Sequence, residues 1–209
     1  MPNFLCVQKR NIEYSQKEER KPIMKLTVVR DLMVPLEEYA TVFEEATLFE
    51  AVVALEQAQE RLDRNKYKYL HRAILIYDKT NNIVGKISQL DVLRALEPKY
   101  GEMGDQQSIS RFGFSQKFLQ SLREQFRLLD RPFEDACRTA AQVKVKTFMH
   151  APTEGEYVAE DATLDVAIHR LVMGHHQSLL VTKGEKIVGI LKLTDVFAEI
   201  FQTMKTCEL

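Results

Sequence analysis

Residues 82–92 read NIVGKISQLDV, and residues 186–196 read KIVGILKLTDV. Each stretch has an apolar run, a glycine and an aspartate six positions later: Gly85 to Asp91, then Gly189 to Asp195. A chain segment that occurs twice decides the architecture before any single motif does. Working outward, VRDLM (29–33) is answered by VKTFM (145–149), and EEATL (44–48) by EDATL (160–164). Both pairs lie 116 residues apart (145 − 29 and 160 − 44), whereas the closing stretches lie 104 apart (186 − 82). The first copy therefore holds 12 additional residues (116 − 104) between its landmarks.

Each copy reads as strand, helix, strand, strand, helix. The extended entry is ATVFE (40–44) or EYVAE (156–160). A helix follows in which Leu48, Val52, Leu55 and Leu62 fall near helical spacing. Its counterpart starts at Leu164 and stops at Gly174, a C-terminal capping residue. The additional residues thus predict a longer helix, or a helix plus loop, in the first copy. Two short apolar runs then flank a turn: AILIY and IVGKI around DKTNN, and SLLVT and IVGIL around KGEK, the pattern of an antiparallel hairpin. Closing helices run from Leu90 and Leu193. A copy of about 60 residues is small for an independent core, so the two are expected to pack on each other.

The chain divides into a mobile tail (1–23), a first repeat (24–96), a helical connection (97–144) and a second repeat (145–209). In the connection Ser115 can cap a helix carrying Phe118, Leu119, Leu122, Phe126 and Leu129, and Pro132 suits the first turn of another, through Ala140. Those helices either cover the repeats or offer a dimer or partner contact. The net charge of −1 gives no support to nucleic acid or an anionic membrane as a partner. No apolar run is long enough to span a bilayer, and no secretory signal is expected. Three dispersed cysteines outside any C-x-x-C pattern argue for a reducing cytoplasm rather than a disulfide or zinc framework.

The DLM/TFM entries, the EEATL/EDATL steps and the paired glycine-to-aspartate spacing, twice and in order, resemble a tandem CBS-domain module, named after cystathionine β-synthase. The resemblance covers 29–96 and 145–204. It implies an α/β fold of two pseudo-symmetric β-α-β-β-α units packed sheet to sheet, with two clefts. It also implies a cytoplasmic regulatory sensor, often a homodimer, that binds AMP, ADP, ATP or S-adenosylmethionine and relays binding to an effector protein. No cofactor is required by this reading.

In ligand-binding members the residues three and six after the glycine are Ser or Thr and Asp, which correspond here to Ser88 and Asp91. A carboxylate accepts two bonds from neighbouring ribose hydroxyls, and a hydroxyl at a helix start can bond phosphate. Ser-x-x-Asp is equally a capping box that needs no ligand, and the two roles can coexist. The second copy keeps Asp195 but has Lys192 in place of the hydroxyl residue, with Thr194 adjacent. Lys192 can neutralise a phosphate or lay its stem along the surface. The first cleft is therefore the better nucleotide candidate. His71 and Arg72 precede the hairpin, bordering the cleft or forming a solvated strand end. Ala40, Thr41 and Tyr157 lie on the entry strands, whose backbone could reach an adenine edge; Tyr157 could stack on the base or sit in the core. No phosphate loop, G-x-S-x-G or H-E-x-x-H points to an enzyme. The alternative to a sensor is a ligand-free dimerisation or docking scaffold.

Overall fold

The run AILIY is apolar at every position because both faces of its strand are covered. The computed structural model describes residues 27–101 and 115–206, so the tail expected at 1–23 lies outside the described residues. In chain order the elements of the first repeat are α1 (Val29–Leu32), β1 (Val34–Pro35), β2 (Thr41–Phe43), α2 (Leu48–Arg61), β3 (Ala73–Tyr77), β4 (Ile83–Ser88) and α3 (Gln89–Ala95). The connection contributes α4 (Gln116–Phe126) and α5 (Phe133–Ala141). The second repeat contributes β5 (Tyr157–Ala159), α6 (Leu164–Gly174), β6 (Ser178–Lys183), β7 (Lys186–Lys192) and α7 (Leu193–Thr206).

Two sheets result, ordered β2-β3-β4 and β1-β7-β6-β5. In each, the entry strand pairs parallel with the first hairpin strand, and the hairpin is antiparallel. Side chains alternate across the pleat. Leu75, Leu180 and Ile190 meet in a cluster between the sheets with Val34 and Tyr39. Ile74, Ile76 and Ile87 face α2, and Leu179, Val181 and Leu191 face α6. The helices bury matching triplets, Leu48-Ala51-Leu55 and Leu164-Ala167-Leu171. Val52, expected on the buried stripe, is exposed. Thr47 and Glu50 cap α2 reciprocally: the Glu50 carboxylate accepts from the Thr47 N–H (2.6 Å), and Thr47 Oγ1 accepts from the Glu50 N–H (3.2 Å). Helix α2 has 14 residues against 11 in α6, and most of the remaining extra length forms the segment 62–72.

The repeats exchange their entry segments. Val29 donates its N–H to Ala162 O (2.9 Å), and Val145 donates to Ala46 O (2.9 Å). Val28 bridges Thr163 and Thr47 bridges Lys144, related by the same 116-residue offset. Farther along, Val34 pairs with Ile190, and His150 bridges Lys86. Val29 is thereby buried in the second repeat's core and Val145 in the first's.

This crossing accounts for the duplicated glycine. A Cβ on Gly189 would stand 2.6 Å from Val34 O, a backbone atom; one on Gly85 would meet the flexible side chain of Met149. Gly189→Ala is expected to destabilise the fold by about 1–3 kcal/mol, the range for overpacking, and Gly85→Ala by less. Urea unfolding of both variants checks the order.

In the connection, Ser115 Oγ accepts from Phe118 N–H (3.2 Å), capping α4, and Pro132 precedes α5. Helix α4 ends at Phe126; Leu129 lies in the following turn at φ 56, where its N–H donates to Glu97 Oε2 (2.9 Å). Phe118 and Leu119 are exposed.

Candidate functional site

Strand β4 delivers Ser88 to the start of α3, where it caps the helix with Asp91. Asp91 Oδ2 accepts from the Ser88 N–H (2.8 Å) and from Ser88 Oγ (2.6 Å). Its other oxygen meets His150 Nε2 at 2.9 Å and Arg94 Nη1 at 3.4 Å. Asp91 is buried, whereas the His150 and Arg94 side chains are 54% and 47% exposed. Burial pushes the Asp91 carboxyl up, but the Ser88 bonds and His150 outweigh it and hold it below the usual aspartate range. Beside this group Lys86 forms an ion pair with buried Glu156, which also accepts from the Thr153 N–H (3.2 Å). This group therefore joins β4 and α3 of the first repeat to the entry residues His150 and Glu156 of the second.

The surroundings of Asp195 are built the opposite way. Lys192 closes β7 with its ammonium buried, 3.2 Å from Asp195 Oδ2 and donating to Tyr69 O at 2.8 Å, across 123 residues of sequence. It sits 5.4 Å from the Tyr67 ring centroid. Burial pushes the lysine down and the aspartate up, each against the pull of the other's charge. His71 is fully buried, with Nε2 3.1 Å from Glu38 O and its ring 4.5 Å from that of Tyr39. Burial, then the charge of Lys192, lowers its pKa to about 4.

Of the ten residues singled out in the sequence, five gather around the two aspartates. Ser88 and Asp91 come together; Lys192, Asp195 and His71 come together in the other cleft. Lys192 is buried rather than laid along the surface, and His71 does not end a strand in solvent. Arg72 is exposed, and its carbonyl accepts from the Gln89 N–H (3.2 Å). Thr194 is half-buried in the first turn of α7. Ala40 is buried, and its carbonyl accepts from the Leu75 N–H (2.9 Å). Thr41 is half-buried, and with Ala40 it lines a cavity of about 600 Å³ beside α2 that reaches neither aspartate. Tyr157 is half-buried against the inter-sheet cluster. Sequence reasoning missed His150, Lys86, the Tyr69 carbonyl and the pairing of the Glu156 carboxylate, a residue it had placed only on the entry strand. The exchange of entry segments brings His150 and Glu156 beside β4, and the segment 62–72 brings Tyr69 over Lys192; no spacing within a repeat signals either.

The sequence profile of the CBS domain matches residues 29–98 and 145–202. The chain belongs to the CBS-domain family. CBS domains are regulatory rather than catalytic modules. Among solved structures, the chain is similar to protein MJ1004 from Methanocaldococcus jannaschii (18% identity, TM-score 0.51), with 84% of this chain matching 60% of that one. It is also similar to CBSX2 in complex with AMP (18%, TM-score 0.51, 84% of this chain and 97% of that one). A third is the CBS domain of a bacterial CNNM/CorC family Mg²⁺ transporter in complex with ATP (18%, TM-score 0.51, 85% and 89%). These likenesses show the shared CBS fold. A comparison with curated protein sequences gave no match. Among the described residues no helix is long and apolar enough to cross a membrane.

Proposed function

We propose that this CBS pair is a regulatory module that takes one adenine nucleotide per chain at the Asp91 cleft, while Lys192 keeps the Asp195 cleft shut. The observation that carries this reading is the contrast between the two carboxylates. Asp91 is held by a hydroxyl and by two half-exposed cationic or ring groups at the cleft mouth. A ribose hydroxyl can replace His150 at Oδ1, leaving His150 and Arg94 to meet phosphate. Asp195 instead faces a buried ammonium already tied to the Tyr69 carbonyl, and opening it would expose an unpaired charge. The AMP and ATP complexes of structurally similar proteins support the ligand class. His150 also bridges Lys86 through its backbone, so displacing it would move the junction between repeats, a route to an effector protein.

Isothermal titration with AMP, ADP, ATP and S-adenosylmethionine tests the reading. One ligand per chain is expected. Asp91→Ala should weaken binding by about 1.5–3 kcal/mol, the range for hydrogen bonds to a charged group. Unchanged affinity in that variant would remove Asp91 from the site.

A second reading, a ligand-free homodimer scaffold, is favoured by the exposed stripe Phe197, Phe201 and Met204 on α7. It predicts a dimer by light scattering and no heat with any of the four ligands.

A further inference from the structure

The pseudo-symmetry between repeats supplies an internal template for the cavity beside α2. Thr41 and Tyr157 are equivalent: each opens a three-residue edge strand and pairs parallel with the next strand, Thr41 with Leu75 and Tyr157 with Leu180. In a parallel ladder the residue so placed directs its own N–H and C=O away from its neighbour. The Leu75 N–H accordingly goes to Ala40 O, and the Thr41 carbonyl faces outward. In the second repeat that outward carbonyl is taken: Arg170 Nη1 donates to Tyr157 O at 2.6 Å.

Arg170 is the seventh residue of α6, and the seventh residue of α2 is Ala54. The helices are in register, because their buried triplets match position for position. Where the second repeat has a guanidinium over the edge strand, the first has a methyl group and a cavity of about 600 Å³ lined by Thr41, Ala54 and Ala58. The longer α2 and the residues after it wall the far side. Glu37, Glu38 and Asp63 line the cavity against Arg61 and Lys66, so its wall carries one more negative than positive charge. Lys66 is already paired with Glu38 at 3.2 Å.

We propose that this cavity binds a guanidinium group, donated either by a small molecule or by an arginine of a partner protein, with the Thr41 carbonyl as acceptor. The guest occupies the place that Arg170 fills in the second repeat, and its charge neutralises the wall. The volume lies within the range of small-molecule sites. This site shares no residue with the Asp91 cleft, so it stands whether or not a nucleotide binds there.

The test is titration of the full chain, without nucleotide, by L-arginine, agmatine and the blocked tripeptide acetyl-Gly-Arg-Gly-amide, with L-citrulline as neutral isostere. At least one guanidinium probe should saturate at one per chain. Citrulline should bind about tenfold or more weaker, the loss of one charge-assisted hydrogen bond. Ala54→Arg places the chain's own guanidinium in the cavity and should abolish binding with an unchanged circular dichroism spectrum. Ala54→Met, which fills the space without charge, should do the same, and Asp91→Ala should bind as wild type. Tightest binding of agmatine or arginine identifies a small-molecule guest; tightest binding of the tripeptide identifies a partner's arginine. No saturable binding of any guanidinium probe, citrulline equal to arginine, or full affinity in both Ala54 variants overturns the proposal.

Discussion

Asp195→Asn is expected to cost about 3–5 kcal/mol of folding free energy, and Lys192→Met a similar amount, because each leaves a buried charge without its partner. The Lys192 and Asp195 side chains are only 5% and 11% exposed. Both are pushed toward their neutral forms by burial, so their attraction does not repay the desolvation of the pair. The double variant Lys192→Met with Asp195→Leu removes both charges and should lie within about 1 kcal/mol of wild type or above it. Urea unfolding of the wild type, the two single variants and the double variant ranks the four proteins. If the single variants lose less than the double, the pair is not the lock described above. The loss in Asp195→Asn should also shrink as pH rises, since the isolated lysine escapes its penalty by giving up its proton.

Acidification from pH 6.5 to about 4 is expected to remove about 3 kcal/mol through His71 alone, at 1.36 kcal/mol per unit of pKa shift. The sign follows from where the proton goes. The unfolded histidine binds it near pH 6.5, whereas the folded one resists down to about 4. Stability is therefore fully present above 6.5 and falls as pH drops through that window. The cause is geometric: the ring is fully buried, its Nε2 engages the Glu38 carbonyl, and its Nδ1 has no hydrogen-bond partner among the described residues. Asp91 and Glu156 also titrate low when folded, but their losses begin only near and below the ordinary carboxylate values of 3.8 and 4.5. His71→Gln should flatten the profile between 6.5 and 4 and leave the lower limb intact. A wild-type profile already flat in that window would show that His71 takes up its proton without cost.

The repeat, the hairpins and the capped helix starts were legible because they are local. Ser88 and Asp91 lie three residues apart, and the pair closes within one helical turn; Thr47 and Glu50 have the same spacing but were not singled out. Helix α2 was legible in existence and, apart from Val52, in the face it buries, with Leu48, Leu55 and the following Leu62 all buried. Its buried stripe is completed by Ala51, whose small side chain lets the helix sit close on the sheet, and bulkier Val52 is left outside. The composition of the clefts was not legible. A chain whose entry segments stay at home and one whose entry segments cross have the same 116-residue offset. Lys192 reads as a surface lysine until the segment 62–72 is known to lie over it.

That crossing has a bearing on what half of this protein would be. Cut loose, one repeat owns an arm with no socket and a socket with no arm. Two identical halves would complete each other by trading arms around a two-fold axis, so a fragment carrying a single copy is expected to exist as a swapped pair. The intact chain is such a pair made permanent by one covalent tether, which lets the two halves diverge in sequence while both arms stay seated.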